Sequence, residues 1–164
     1  MKKEQKPSGI YAVYEKIERL LDITKAQLVI KPLQRLDKQK KLIKIMNRLR
    51  RQAKGTVGHD LIAMLDKYQL KLIPHSVEHD LKHLILGFGM DTQSEIKMQV
   101  YLIGNGIYSF TAILFSSSVL LFPHYWKEYY EVYKKGCKAP SIKRLTLNTC
   151  AQANTKEIIS KYTL

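Results

Sequence analysis

The sequence predicts an all-α protein that forms a single multi-helix domain over residues 1–164. Apolar side chains recur at intervals of three and four residues along much of the chain, as they do on one face of a helix. No segment shows the sustained alternation of a half-buried strand. With 45% hydrophobic and 26% charged residues, the chain is long enough for one sizeable core and short for two.

The positive charge is concentrated at the N-terminal end. The formal net charge is +14, and residues 1–60 hold 16 Lys or Arg and 6 Asp or Glu, a net of +10. This predicts an anionic partner, either a phospholipid surface or a nucleic acid. Acidic residues interleaved in 1–30, and the lack of any known nucleic-acid-binding motif, argue against nucleic acid. We therefore expect a membrane surface.

Two basic helices are predicted at this end. The first begins at Tyr11 and ends before Pro32, and the second runs from Leu33 to about Ala53, closed by Gly55. We divide the chain into these helices (1–54), a core that carries a metal motif (55–135) and a C-terminal segment (136–164).

Three further helices are predicted in the core segment, which begins at residue 55. One covers residues 57–68, and the next begins near His75 and ends at Gly87. Asp91 or Thr92 is expected to cap the third, whose first turn contains Glu95.

A long apolar run, residues 98–125, contains no Lys, Arg, Asp or Glu. It meets the length criterion for a membrane span, but Gln99, Asn105 and the serines at 116–118 interrupt it. We expect a buried central apolar helix, with a lipid-binding segment and a true span as alternatives. In the lipid-binding alternative, a prenyl tail would lie beside the metal, along Leu102, Ile103, Ile107 and Phe110.

Aromatic and charged residues alternate from His124 to Lys135, and Gly136 is the predicted end of this helix. Its rings would pack on the core or lie at the level of lipid headgroups. A last helix is predicted over 155–162. Cys137 and Cys150 form no CxxC pattern, and the N-terminus lacks the apolar core of a secretory signal, so we expect a reducing compartment.

The residues most suggestive of chemistry are two histidines in the helix that ends at Gly87. His79 and His83 are about 40° apart around a helix, so both imidazoles can reach one ion. Asp80 would be a third ligand or would orient an imidazole, and Glu95 would approach from the following helix. Such ligands suit Zn²⁺, Fe²⁺, Mn²⁺ or Co²⁺ and leave a position open for water or substrate. The same spacing would also result from two surface histidines that bind no metal and lie beside helix-capping acids.

Other classes of protein contain similar patterns. A metalloprotease would have Glu where Asp80 stands, and the shorter Asp reaches less well as a general base. A His-Asp phosphohydrolase would use His59 with His79 and Asp80, but it needs a further Asp well downstream, and none follows Asp91. The pair His59-Asp60 has Ala63 at the position of a second ligand, and we expect it to bind no metal.

Several residues together resemble one known family. The run from His79 to His83, the following Gly87-Phe88-Gly89 and Glu95 resemble the HDxxH(x)11E signature of the coenzyme Q biosynthesis protein 4 family. Pro74 and the Gly-Thr-Val-Gly at 55–58 are also similar to that family's pattern. The resemblance extends over roughly residues 50–135.

The resemblance implies an all-helical ubiquinone biosynthesis protein with a divalent metal ion, which we expect to be zinc, with iron or manganese as alternatives. Its ligands and catalytic residues would be His79, Asp80, His83 and Glu95. The implied activity removes the C1 carboxyl of a polyprenylated hydroxybenzoate and hydroxylates that carbon, as an oxidative decarboxylase or lyase. A scaffolding role for other quinone-biosynthesis proteins is also implied.

The alternatives are a non-catalytic polyisoprenoid-lipid binding protein and an unrelated metal-dependent hydrolase. We expect the protein to bind an isoprenoid lipid, to lie at a membrane surface as a peripheral protein and to form a homodimer. We expect it to bind no nucleic acid. The expected location is cytoplasmic, at the inner face of the cell membrane, or the matrix side of the inner membrane if mitochondrial.

Overall fold

The computed structural model of the protein describes residues 9–25, 39–73 and 76–163. Within these ranges the secondary structure comprises nine α-helices and two short 3₁₀-helices, with no strand, which confirms the all-α prediction. The helices are α1 (Gly9–Lys25), α2 (Gln39–Arg50), α3 (Val57–Lys67), α4 (Val77–Leu86), α5 (Thr92–Gly104), α6 (Phe110–Ser117), α7 (Trp126–Lys138), α8 (Leu147–Cys150) and α9 (Thr155–Tyr162). The 3₁₀-helices are Ser118–Leu121 and Pro123–Tyr125.

Capping residues account for the helix boundaries that the sequence predicted well. Asp91 is the N-cap of α5, and its carboxylate accepts a hydrogen bond from the backbone N–H of Ser94. Gly87 ends α4 in the left-handed conformation. Asn154 caps α9 by accepting from the backbone N–H of Lys156. The predicted span of α9 is therefore confirmed, and α3 ends one residue before the predicted limit.

The structure describes part of each predicted N-terminal helix. Helix α1 is described as far as Lys25, and the predicted boundaries at Pro32 and Leu33 lie outside the described residues. Arg50, at the end of α2, forms an ion pair with Asp66 of α3 at 2.8 Å. This pair joins the basic helix to the core.

Two hydrophobic clusters hold the helices together. The larger one joins α3, α4, α5, α8 and α9, and its fully buried members include Val57, Leu61, Leu81, Ile85 and Met98. The smaller one contains Ile96, Val100, Phe122 and Tyr129, against which α1 packs Tyr14, Ile17 and Leu21. Helix α5 contributes to both clusters, and none of its residues is exposed.

The apolar run at 98–125 does not form one helix. Its first part is the buried C-terminal half of α5, and a turn at Gly106, where φ is +80°, separates that half from α6. Phe110 and Leu120, in the second part, are 80% and 74% exposed. The central apolar helix expected in this run is therefore not confirmed, because the glycine turn redirects the second part of the run to the surface.

The prediction that Gly136 ends a helix is also wrong, since α7 continues to Lys138. Gly136 is buried, and a Cβ at this position would collide with the backbone carbonyl oxygen of Tyr101 in α5. A Cβ at Gly104 of α5 would likewise collide with the backbone carbonyl oxygen of Tyr133 in α7. The two glycines thus allow the backbones of α5 and α7 to pack in direct contact.

No helix in the described part of the chain is both long and apolar enough to span a bilayer.

Candidate metal centre

The turn between α4 and α5 brings the predicted ligands together. The left-handed Gly87 lets the chain reverse after α4, and its N–H donates to the carbonyl of His83. Four residues later the Asp91 cap starts α5, which places Glu95 in the first turn. Because one short connection joins the two helix ends, His79, His83 and Glu95 meet on facing helices.

Three side-chain atoms converge at this point. Nε2 of His83 lies 3.1 Å from Nε2 of His79 and 3.2 Å from Oε2 of Glu95. Nε2 of His79 lies 3.3 Å from the same carboxylate oxygen. Ligands bound about 2.1 Å from a metal ion would be about 3.4 Å apart in a tetrahedral arrangement and about 3.0 Å apart in an octahedral one. The observed separations lie between these two values.

The hydrogen bond on the far side of His83 shows which nitrogen is free to act as a ligand. Nδ1 of His83 lies 3.2 Å from the carbonyl oxygen of Phe88, which can only accept, so Nδ1 carries the proton. In the tautomer with one proton, on Nδ1, the lone pair of Nε2 is directed toward the carboxylate of Glu95. Two acceptors at this distance repel each other unless a cation or a proton lies between them. The donor set thus suits a divalent metal ion.

The site is buried on one side and open on the other. The side chains of His83 and Glu95 are 0% and 1% exposed, whereas that of His79 is 32% exposed. A ligand that approaches from solvent would therefore reach the site past His79. Three protein ligands leave further coordination positions for water or substrate.

Gln99 is a buried residue beside the triad that lies outside the sequence motif. Its Nε2 donates a hydrogen bond to Oε1 of Glu95 at 2.7 Å, one turn earlier on α5. Gln99 was counted only as a polar interruption of the apolar run. Its position four residues after Glu95 was the available signal.

Asp80 is not one of the three grouped ligands. Its carboxylate accepts a hydrogen bond from the hydroxyl of Ser76 at 3.3 Å, and it is not a member of the group whose ligand atoms lie within 4.8 Å of one another. Within the described ranges this group consists of His79, His83 and Glu95 alone. A role for Asp80 as ligand or catalytic residue stays a prediction.

Two ionisable groups next to the triad have altered pKa values. Burial lowers the pKa of Lys82, although the charge of Glu78 opposes this effect. For Asp91, burial acts to raise the pKa, but hydrogen bonds from Ser94 outweigh it and leave the pKa below its usual value. Asp91 therefore remains an ionised cap at neutral pH, which fixes the start of α5 and the position of Glu95.

His59 and Asp60 form a structural connection between α3 and α9. Asp60 accepts hydrogen bonds from the hydroxyl of Thr155 at 2.7 Å and from the backbone N–H of Gly55 at 3.2 Å, and Nδ1 of His59 lies 3.1 Å from it. His59 is not among the three grouped ligands, so the ligand set of a His-Asp phosphohydrolase is not assembled here.

An apolar groove of about 400 Å³ lies between α5, α6, the first 3₁₀-helix and α7. Its lining residues are Val100, Ile103, Ser116, Val119, Leu120, Trp126, Tyr129, Tyr130 and Tyr133. Val100 and Ile103 are about 140° and 80° around α5 from Glu95, so the groove lies to one side of the triad on this helix. Leu102, which we expected in a lipid groove, is 2% exposed and belongs to the larger hydrophobic cluster.

Comparisons with known proteins support the fold. No protein-family model matches the chain, and no curated protein matches it in sequence. Among solved structures, the chain is similar to a protein from Nostoc punctiforme PCC 73102 that is described as a candidate ubiquinone biosynthesis protein. The two share 16% sequence identity with a TM-score of 0.56, over 94% of this chain and 92% of the other. At this identity the similarity concerns the fold.

Proposed function

We propose that the protein binds one divalent metal ion through His79, His83 and Glu95 and acts on a prenylated hydroxybenzoate in the biosynthesis of ubiquinone. The observation that carries this proposal is the convergence of two imidazole nitrogens and one carboxylate oxygen within 3.1–3.3 Å of one another. A set of two histidines and one carboxylate occurs at catalytic zinc sites and at non-haem iron sites that activate oxygen.

Two further observations support the choice of pathway. The fold extends over nearly the whole of a solved structure from Nostoc punctiforme that is described as a candidate ubiquinone biosynthesis protein. The HDxxH motif and Glu95 also resemble the signature of the coenzyme Q biosynthesis protein 4 family. The fold and the motif are independent observations, and both favour the same pathway.

The proposed reaction is the oxidative decarboxylation of C1. The bond between C1 and the carboxyl carbon breaks, CO₂ leaves, and C1 gains a hydroxyl oxygen from O₂. The other oxygen atom becomes water, which requires two electrons from a nicotinamide or flavin reductant and three protons. A bound metal ion would supply a site for the substrate's carboxylate and for oxygen. His83 and Glu95 would hold that ion in the dry interior, and His79 would line the entrance.

The apolar groove supports a prenyl lipid as the ligand. Its volume of about 400 Å³ and its aromatic and aliphatic lining suit part of an isoprenoid chain. Next to it, Phe110, Ile113 and Leu114 of α6 are more than half exposed, which is typical of a surface that contacts lipid or another protein. We propose that the protein collects its substrate at a membrane surface through this side.

A second candidate function is non-catalytic carriage of a polyisoprenoid lipid. The position of the groove to one side of the triad on α5 favours it. In this case the metal would stabilise the turn between α4 and α5 and would not react with the lipid.

The proposal is tested by elemental analysis and lipid mass spectrometry of protein purified without chelators. We expect about one equivalent of metal in the wild type and in His59→Ala, which removes a histidine outside the triad. The double variant His79→Ala/His83→Ala should contain none. Full metal content in the double variant, or no metal in the wild type, would contradict the proposed site.

The activity is tested with a short-chain prenylated hydroxybenzoate, a reductant and ¹⁸O₂. The proposal expects one ¹⁸O atom at C1 and release of CO₂. If the substrate binds to the metal-loaded protein but is recovered unchanged, lipid carriage is the better description.

A further inference from the structure

We infer that Gln99 is a positioning residue that holds Glu95 with only one carboxylate oxygen toward the metal. This inference rests on the proposed metal site. Oε2 of Glu95 faces both histidines, whereas Oε1 accepts the hydrogen bond from Nε2 of Gln99 at 2.7 Å. An oxygen engaged in this way is turned away from the histidines, so Glu95 would bind the ion through Oε2 alone.

The orientation of the Gln99 amide follows from its partner. If the amide were reversed, its oxygen would lie 2.7 Å from a carboxylate oxygen, and two acceptors would face each other. The donor must therefore point to Glu95. Both side chains belong to α5 and are four residues apart, so the helix itself sets this contact.

The burial of Gln99 indicates that packing alone does not explain why a glutamine occupies this position. The residue is 1% exposed, and its Oε1 finds no hydrogen-bond partner among the residues that the structure describes. An apolar side chain of similar size would fill this space without an unmatched acceptor. Within the described part of the chain, the side-chain amide of Gln99 forms one hydrogen bond, and its partner is the proposed metal ligand Glu95.

The experiment compares Co²⁺ binding by the wild type and Gln99→Met, which keeps a similar volume but removes the donor. Met98→Leu is the matched control, since Met98 is equally buried on the preceding position of α5 and lies outside the triad. We expect Gln99→Met to bind Co²⁺ about 10–100-fold more weakly, and Met98→Leu to bind it as the wild type does. The visible absorption of bound Co²⁺ should also weaken in Gln99→Met, because a second oxygen of Glu95 raises the coordination number.

The outcomes separate the two proposals. If the wild type binds no Co²⁺, the metal site itself is wrong. If the wild type binds Co²⁺ and Gln99→Met binds it equally well with the same spectrum, only the role of Gln99 is overturned. Should Gln99→Met not fold, NMR of the wild type decides: the side-chain amide signal of Gln99 should shift on addition of Zn²⁺ and saturate at one equivalent. An unchanged signal would overturn the inference.

Discussion

The carbonyl oxygen of Phe88 accepts a hydrogen bond from Nδ1 of His83, 3.2 Å away. Phe88 directly follows Gly87, the residue whose left-handed conformation ends α4. The turn that connects the two helices thus also orients the ring of His83, with Nε2 directed toward the triad. The backbone of this turn is part of the candidate metal centre.

Gly87→Ala should therefore weaken metal binding as well as the fold. A Cβ at φ +73° is strained and should cost about 1 kcal/mol of the free energy of unfolding, although no neighbouring atom obstructs it. Gly106→Ala is the control, since Gly106 has φ +80°, equal space and no contact with the triad. Urea titration should show similar destabilisation of both variants, and zinc titration a loss of affinity in Gly87→Ala only. Equal zinc affinities would contradict this role of the turn.

Metal binding should stabilise the protein. At a free Zn²⁺ concentration 100 times the Kd, a site found only in the folded state adds about 2.7 kcal/mol to the free energy of unfolding. For a chain of this length we expect a rise in Tm of about 5–10 °C, measured by calorimetry and reversed by a chelator. Glu95→Gln should lose this response, whereas Asp66→Asn should retain it, because Asp66 pairs with Arg50 away from the site. A full Tm response in Glu95→Gln would argue against the triad.

Gly136→Ala should destabilise the protein even though Ala favours a helix. The new Cβ would collide with the carbonyl oxygen of Tyr101, and separating α5 from α7 should cost about 1–3 kcal/mol. Gly9→Ala, at an exposed position with open space around it, should leave stability unchanged or slightly higher. Chemical denaturation distinguishes the two, and a Gly136→Ala variant as stable as the wild type would mean that α5 and α7 pack less closely than described.

Asp60 should make stability depend on pH in the acidic range. Burial acts to raise its pKa, but hydrogen bonds from Thr155, His59 and Gly55 together lower it by more. The pKa in the folded protein therefore lies below the usual value. Its contribution is therefore fully present above the pKa of the unfolded chain, about 3.9, and is lost as the pH falls through the folded pKa. Asp60→Asn should be less stable than the wild type at pH 6, and the difference should shrink toward pH 3. A difference that is constant with pH would contradict this prediction.

The apolar groove should bind lipid independently of the metal. Leu120 lines the groove and is 74% exposed, so Leu120→Glu should fold normally while placing a charge where a hydrocarbon chain would lie. Mass spectrometry should show loss of the co-purified prenyl lipid with unchanged metal content. Leu70→Glu is the control, since Leu70 is 38% exposed and belongs neither to the groove lining nor to the exposed side of α6. Equal lipid content in both variants would mean that the lipid binds outside the groove.

The parts of the fold that local sequence determines were predicted well. Asp91 and Asn154 cap their helices through their own side chains, and Gly87 ends α4 through its own backbone, so each could be recognised without knowledge of the rest of the chain. The convergence of His79, His83 and Glu95 was also predictable, because one short turn connects their helices.

Features that depend on distant neighbours could not be predicted. Gly136 has the sequence context of a helix end, and only contact with Tyr101, 35 residues earlier, explains why it lies inside α7. The serines at 116–118 interrupt the apolar run, but they do not determine which of its apolar side chains are exposed. The carbonyl of Phe88 leaves no trace in a sequence motif, since every residue has one.

Every residue of helix α5 is at least partly buried. Glu95 and Gln99 belong to the candidate metal centre, Val100 and Ile103 line the groove, and Gly104 contacts the backbone of α7. A substitution at almost any position of this helix therefore alters a contact with a neighbouring element, whereas the exposed positions of α6 have no such constraint. Over evolutionary time we expect α5 to change slowly and mainly through paired substitutions, so relatives of this protein should be recognisable by this helix long after α6 has diverged.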